Sequence, residues 1–119
     1  MKKYVYLSTC NTCKKILKIL DLPEDVQLQN TKEQPISEKE IDQLKAKTGS
    51  YESLLNRRAK LYQERGLKNQ ELSETDYKAL LLEHYSFLKR PILFYDNQIY
   101  IGNSAKTVEA MRKAIHPDA

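Results

Sequence analysis

The two cysteines of the chain, Cys10 and Cys13, lie three positions apart in the run TCNTCKK. A disulfide between them would close almost no loop, so its entropic stabilisation would be slight and a structural staple is a poor explanation. Zinc needs four ligands, and the remaining soft candidates, His84 and His116, lie far apart in the sequence without ligand-like spacing. The spacing therefore favours redox chemistry of the two thiols. Zinc binding and the chance proximity of two structural cysteines stay open as alternatives.

The residues on either side of the pair predict a strand that turns into a helix. The run KYVYL (3–7) is aromatic and β-branched, as in a buried strand, and KKILKIL (14–20) opens an amphipathic helix. Cys10 would then lie in the turn and Cys13 in the first helical turn. Residues typical of helix N-caps surround Cys10, namely Ser8, Thr9, Asn11 and Thr12.

A helix N-terminus offers free backbone N–H groups and the positive end of the helix dipole, both of which favour a thiolate. Lys14 and Lys15 are predicted to act in the same direction. A thiol whose pKa is lowered in this way is ionised at neutral pH, as nucleophilic sulfur chemistry requires. We therefore expect Cys10 to be the nucleophile, because the N-terminal sulfur of such a turn is the more exposed, and Cys13 to be the resolving thiol.

Length and composition limit the kind of protein that can carry this pair. The chain has 119 residues, of which 40% are hydrophobic and 30% charged, and this size fits one domain with a modest core. It has no apolar run near 18 residues and no secretory signal pattern, so we expect a cytoplasmic protein without a membrane span. The net charge of +4 permits anion binding but does not indicate direct binding of nucleic acid.

The rest of the chain predicts a β-α-β half, a helical block and a β-β-α half. Residues 26–29 form a candidate second strand, residues 92–95 and 98–101 a hairpin around Asp96 and Asn97, and Ser104 caps a last helix. Val108, Met111 and Ile115 are expected to be its buried residues.

In the helical block, Ser37 with Glu40 and Ser73 with Asp76 have the spacing of capping boxes, and Gly49 is a candidate C-cap. The first of these helices carries an apolar stripe of Ile36, Ile41 and Leu44. The second is predicted to continue to about Tyr85. Residues 51–66 are predicted to be one helix, with these side chains inward: Leu54, Leu55, Leu61 and Tyr62.

This order of elements predicts an α/β fold with the thioredoxin layout, in which a parallel βαβ half and an antiparallel ββα half build one sheet. We expect a single domain over residues 1–119. Its core would comprise 1–30 and 87–117, with 37–85 as a helical insertion between the two halves.

Four segments give the chain a resemblance to the arsenate reductase (ArsC) family, whose relatives include the Spx redox regulators. They are TCNTCKK (9–15), LLNRRAKLYQERGL (54–67), FLKRPILF (87–94) and IYIGNSAKTVEAM (99–111). The C-x-x-C spacing alone is generic to thioredoxin-like proteins, whereas the K-R-P-I run after a helical insertion is much more specific. The resemblance extends over nearly the whole chain.

The resemblance implies roles for particular residues. Cys10 matches the family's nucleophile, which in reductases attacks arsenate and later exchanges with glutathione and a glutaredoxin. Arg90 matches the arginine that binds the oxyanion, and Pro91 the proline that is usually cis. Arg58, or else Arg57, matches a further basic group near the site.

Direct alignment of the LLN run instead places Asn56 at a reductase arginine. The resemblance implies no bound cofactor or metal. Its reductant would be a thiol co-substrate, either glutathione or a thioredoxin or glutaredoxin, and its substrate an oxyanion or a protein disulfide.

Some residues differ from the reductase pattern. Asn103 stands where reductases carry a third oxyanion arginine, Cys13 stands where they have serine, and no histidine precedes Cys10 in the run YLSTC. Each lost charge-assisted contact costs about 1.5–3 kcal/mol, which weakens an oxyanion site, whereas the second cysteine adds an intramolecular disulfide route. The sequence therefore favours thiol–disulfide chemistry over oxyanion reduction.

Two other functions stay open. A regulator similar to Spx would use the Cys10–Cys13 disulfide to switch binding to the RNA polymerase α-subunit, and an idle family member would not cycle its cysteines at all. The site residues also have structural alternatives. Arg90 could cap the preceding helix, the basic residues 57, 58 and 60 could form a solvated helix face, and His84 and His116 could be a half-buried and a tail residue.

Overall fold

The computed structural model describes residues 1–118, and the chain divides into two compact units. One unit comprises Met1–Gln34 and the chain from Arg90 onward, and the other comprises Pro35–Lys89. Within residues 1–118, every helix is too short or too polar to cross a membrane.

In chain order, the helices and strands are β1 (Lys2–Tyr6), α1 (Asn11–Leu20), β2 (Gln27–Asn30), α2 (Glu38–Thr48), α3 (Lys60–Glu64), α4 (Glu74–Glu83), β3 (Ile92–Tyr95), β4 (Gln98–Ile101) and α5 (Ala105–Ile115). The predicted strands and the predicted first and last helices are therefore present. The boundaries of β1 and β2 differ from the predicted ones by one residue.

The first unit contains a four-stranded sheet with the order β2-β1-β3-β4. Strand β1 runs parallel to β2 and antiparallel to β3, and β3 and β4 form an antiparallel hairpin. Asp96 in the hairpin turn adopts φ 55°, a conformation that Asp and Asn tolerate better than most residues. This arrangement is the thioredoxin layout expected from the order of elements.

The core of this unit packs α1 and α5 against the sheet. Its buried residues are Tyr4, Ile16, Leu20, Val26, Leu93, Met111 and Ile115. Tyr4 comes from the central strand β1 and Met111 from α5, and neither side chain is accessible to solvent. Val108, which we expected to be buried, is only half-buried. The packing fixes α1, and with it the turn that carries the cysteines, against β1.

The second unit contains the predicted capping boxes. In both boxes, the serine hydroxyl accepts a hydrogen bond from the backbone N–H of the acidic residue three positions later. The side chain of that acidic residue, Glu40 or Asp76, accepts a hydrogen bond from the serine N–H. Gly49 ends α2 with φ 94°, which favours glycine. Helix α4 ends at Glu83, and Tyr85–Phe87 form a separate 3-10 helix.

The prediction of one helix over residues 51–66 is wrong. The structure has a 3-10 helix at Glu52–Leu54, an extended residue at Leu55 and a short α3, and Leu61 is only half-buried. Leu55 forms an antiparallel bridge with Leu88. The backbone therefore hydrogen-bonds to a segment distant in sequence, and that pairing overrides the local preference for a helix.

Candidate functional site

Cys10 lies at the junction between β1 and α1, where it is the N-cap of the helix. Its backbone is extended, with φ −92° and ψ 110°, and its carbonyl accepts the N–H of Lys14 at 3.2 Å. The Cys10 Sγ accepts the N–H of Cys13 at 3.4 Å. A sulfur therefore occupies the position at which a serine or aspartate oxygen usually caps a helix.

The loop before Cys10 is held from two directions. The Cys10 N–H donates to the carbonyl of Leu7 at 3.0 Å. Asn30, at the end of β2, accepts the N–H of Ser8 through Oδ1 at 3.1 Å and donates through Nδ2 to Ser8 Oγ at 3.0 Å. These bonds tie the cysteine turn to the parallel strand pair.

The electrostatics of the turn favour ionised Cys10. Partial burial of the thiol acts against ionisation, but it is outweighed by hydrogen bonding to the Cys13 amide and thiol, by the positive charge of Arg90 and by the Thr12 amide. The pKa of Cys10 therefore lies below its ordinary value. Cys10 is half-buried, so part of the side chain faces solvent.

Cys13 has the opposite properties although it lies in the same helical turn. Its side chain is fully buried, and burial raises the pKa of the Cys13 thiol to about 11 despite the opposing effect of the Leu7 backbone. The nearby Cys10 sulfur raises the pKa further. Both cysteines are free thiols. One turn thus presents an accessible sulfur that ionises readily and a buried sulfur that keeps its proton.

Two side chains that support this turn were not among the predicted site residues. Tyr4 is fully buried, and its hydroxyl donates to the Cys13 carbonyl at 2.9 Å, which joins β1 to the first turn of α1. Asn30 is the second. Neither could be found from local sequence, because the partner of each is distant along the chain; the only signal at Tyr4 is a tyrosine in a buried strand, whose hydroxyl requires a partner.

Arg90 and Pro91 also belong to the first unit. The Arg90–Pro91 peptide is cis, as the resemblance implied, and the Pro91 carbonyl accepts the N–H of Gly102 at 2.9 Å. Arg90 is half-buried and contributes positive charge that stabilises the Cys10 thiolate. Asn103, which follows Gly102, is exposed.

The positive charge that lowers the pKa of Cys10 thus comes from Arg90. Lys14 and Lys15, which the sequence predicts to act in the same direction as the helix N-terminus, are not among the main causes of this shift. Both side chains are exposed, and charges in that position are screened by water.

Asn56 and Arg58 lie in the second unit. The Asn56 side chain accepts the Arg58 N–H at 3.1 Å and donates to the Ser86 carbonyl at 3.5 Å, so it organises the local turn. Arg57 forms an ion pair with Glu52 at 2.7 Å. The Arg58 side chain is exposed and forms no ion pair with any residue of 1–118. An oxyanion-binding role for Asn56 or Arg58 stays a prediction.

The histidines have structural contacts. His116 Nε2 lies 2.8 Å from the Leu20 carbonyl and 3.0 Å from the Asp21 carbonyl, at the end of α1. His84 Nδ1 accepts the N–H of Ser86 at 3.1 Å. Across the described part of the chain, no three His, Cys, Asp or Glu side chains come together in a way that could hold a metal ion.

Comparison with known proteins agrees with this architecture. The model of the ArsC family matches residues 6–111. No curated protein matches the chain.

Several solved structures share the fold. The YFFB (PA3664) protein is 20% identical with a TM-score of 0.78, over 97% of this chain and 99% of that one. An arsenate reductase from Vibrio cholerae is 21% identical with a TM-score of 0.71, over 95% and 98% of the two chains. The protein SACOL0876 from Staphylococcus aureus COL is 28% identical with a TM-score of 0.70, over 92% and 97%. These likenesses confirm the predicted thioredoxin-like fold.

The geometry predicts which positive charge controls Cys10. Arg90→Gln removes a charge that stabilises the thiolate, so the pKa of Cys10 should rise. Lys14→Gln removes the same charge from an exposed side chain and should leave that pKa unchanged. Titration of the thiolate by its ultraviolet absorbance measures both variants. Equal upward shifts in the two would contradict the assignment to Arg90.

Proposed function

Since this chain belongs to the ArsC family, we propose that it is a thiol–disulfide oxidoreductase in which Cys10 is the nucleophile and Cys13 the resolving thiol. The observation that carries the proposal is the opposite behaviour of two sulfurs in one helical turn. The pKa of the half-buried Cys10 is lowered, and that of the buried Cys13 is raised to about 11. Such a difference gives the two thiols separate tasks.

In the first step, the Cys10 thiolate attacks one sulfur of a substrate disulfide. A bond forms between Cys10 Sγ and that sulfur, the substrate S–S bond breaks, and the other substrate sulfur leaves as a thiolate. The Cys13 amide, 3.4 Å from Cys10 Sγ, stabilises the anionic nucleophile before the attack. Because Cys13 is buried and protonated, it does not compete for the substrate.

In the second step, Cys13 loses its proton to a departing thiolate and attacks Cys10 Sγ. The mixed disulfide breaks, the second substrate thiol leaves, and a Cys10–Cys13 disulfide forms. The substrate gains two electrons and the protein loses two. Glutathione, or a thioredoxin or glutaredoxin, would restore the dithiol by the reverse exchange.

An oxyanion such as arsenate is a further substrate that the same nucleophile could attack. Arg90 and the first-turn amides of α1 supply positive charge beside Cys10, and guanidinium groups suit tetrahedral oxyanions. Attack would form a sulfur–arsenic bond with loss of water. A second thiol would then attack Cys10 Sγ, forming a disulfide as arsenic gains two electrons and leaves as arsenite.

A regulator similar to Spx is the second candidate. It is favoured by the presence of Asn56 and Asn103 at positions where reductases have arginine, together with a second cysteine at position 13. In that case the Cys10–Cys13 disulfide would change the affinity for the RNA polymerase α-subunit, and no substrate would turn over.

Cysteine variants test the enzyme proposal. Wild type incubated with a glutathionylated peptide should end as the intramolecular disulfide, Cys13→Ser should accumulate the mixed disulfide at Cys10, and Cys10→Ser should form neither. Intact-protein mass spectrometry distinguishes these products. Wild type that stops at the mixed disulfide would contradict the role of Cys13, and equal reaction of Cys10→Ser would contradict the role of Cys10.

The same proteins test the oxyanion. Arsenate-dependent oxidation of glutathione by wild type should be lost in Cys10→Ser. Rates equal to background in both proteins would restrict the substrates to disulfides.

Capture of purified RNA polymerase α-subunit tests the regulator. That function predicts capture of the subunit by one redox state of the chain and much weaker capture by the other. Cys13→Ser, which cannot form the intramolecular disulfide, is the control and should show no redox dependence. Absence of capture in both states would reject this function.

A further inference from the structure

The solvent-facing side of α1 carries charge of one sign only. Its exposed residues are Asn11, Thr12, Lys14, Lys15, Lys18 and Ile19. At 100° per residue these positions form one continuous face, opposite the buried positions 13, 16 and 20. We call Lys14, Lys15 and Lys18 the lysine face. It begins one helical turn from Cys10.

Within residues 1–118, no acidic side chain neutralises the lysine face. None of its three lysines forms an ion pair with any residue of 1–118, and the first acidic residue of the sequence is Asp21. Two other basic side chains of the same unit, by contrast, form ion pairs. Lys2 lies 3.0 Å from Asp25, and Arg112 lies 2.6 Å from Glu109.

This arrangement is unfavourable for the helix itself. Lys14 and Lys18 are four residues apart and Lys15 and Lys18 three, so like charges are neighbours on the helix surface. Helices α2 and α4 place acidic residues in the first turn, as the helix dipole favours, whereas α1 has none there. A helix face that contacts water needs polar or charged side chains, but these need not all have the same sign of charge. The stability of the fold therefore does not explain why the charged residues of this face are all lysines.

We propose that the lysine face docks an acidic surface of the protein whose cysteine exchanges with Cys10. The inference rests on the proposed oxidoreductase function and names the class of its protein partner. Opposite charges accelerate encounter and orient the partner. Ile19, 56% exposed on the same face, would add an apolar contact. In the exchange, the Cys10 thiolate forms a bond to the partner's disulfide sulfur and the partner's second sulfur leaves as thiolate.

Two synthetic peptides of equal length test the surface. Each contains one cysteine as a mixed disulfide with uncharged 2-thiopyridine, flanked by glutamates in one peptide and by glutamines in the other. Release of pyridine-2-thione gives the second-order rate constant. For wild type at low ionic strength, the acidic peptide should react about tenfold faster than the neutral one, an advantage that added salt removes.

A pair of double variants of equal net charge locates the effect. Lys15→Gln with Lys18→Gln alters the lysine face, and Lys106→Gln with Lys113→Gln alters exposed lysines of α5. The ratio of acidic to neutral rate constants should fall severalfold in the first variant and stay at the wild-type value in the second. A ratio near one in wild type, or an equal fall in both variants, would overturn the docking surface.

Two other outcomes would also contradict the proposed docking surface. A neutral peptide that reacts with wild type no faster than with free glutathione would overturn the proposed oxidoreductase function, and the docking surface with it. Binding of a DNA duplex that is lost in the α1 variant, with an unchanged peptide ratio, would reject an acidic protein as the partner. That result would indicate that the lysine face binds nucleic acid.

Discussion

The hydrogen bond from the Cys13 amide to the Cys10 sulfur is the interaction on which the proposed chemistry depends. It exists because a cysteine occupies the N-cap of α1, where helical N–H groups lack partners within the helix. A serine at this position would satisfy the same amide. Only a thiol converts the local excess of hydrogen-bond donors into a lowered pKa and thereby into a nucleophile. The helix cap and the candidate reactive group are the same atom.

The surrounding unit keeps that geometry in place. Tyr4 connects the central strand to the first turn of α1, and Asn30 holds the loop that enters it. Tyr4 is buried among residues of the sheet, α1 and α5, so its hydroxyl cannot hydrogen-bond to water. The hydrogen bond to the Cys13 carbonyl therefore also satisfies a buried polar group. Burial of Cys13 follows from the same packing and gives the second thiol its raised pKa. The difference between the two sulfurs is therefore a consequence of how α1 packs on the sheet.

Local patterns predicted the elements that depend on local interactions. The capping boxes at Ser37 and Ser73 and the hairpin at Asp96 each involve residues close together in sequence, and each is present. The prediction of one helix over residues 51–66 was wrong because the bridge between Leu55 and Leu88 joins positions distant in sequence. The same limit applied to the site. The positions of both cysteines could be predicted from local sequence, and Arg90 was implied by the family resemblance. The contributions of Tyr4 and Asn30 depend on the fold.

A chemical readout of the two thiols in one protein tests the central claim most directly. Wild-type protein is alkylated with iodoacetamide across a pH series, and peptide mass spectrometry follows Cys10 and Cys13 separately. The account predicts that Cys10 reacts at a pH below the ordinary pKa of a cysteine, whereas Cys13 stays largely unmodified until the pH approaches about 11. Equal pH profiles for the two residues, or earlier modification of Cys13, would contradict it.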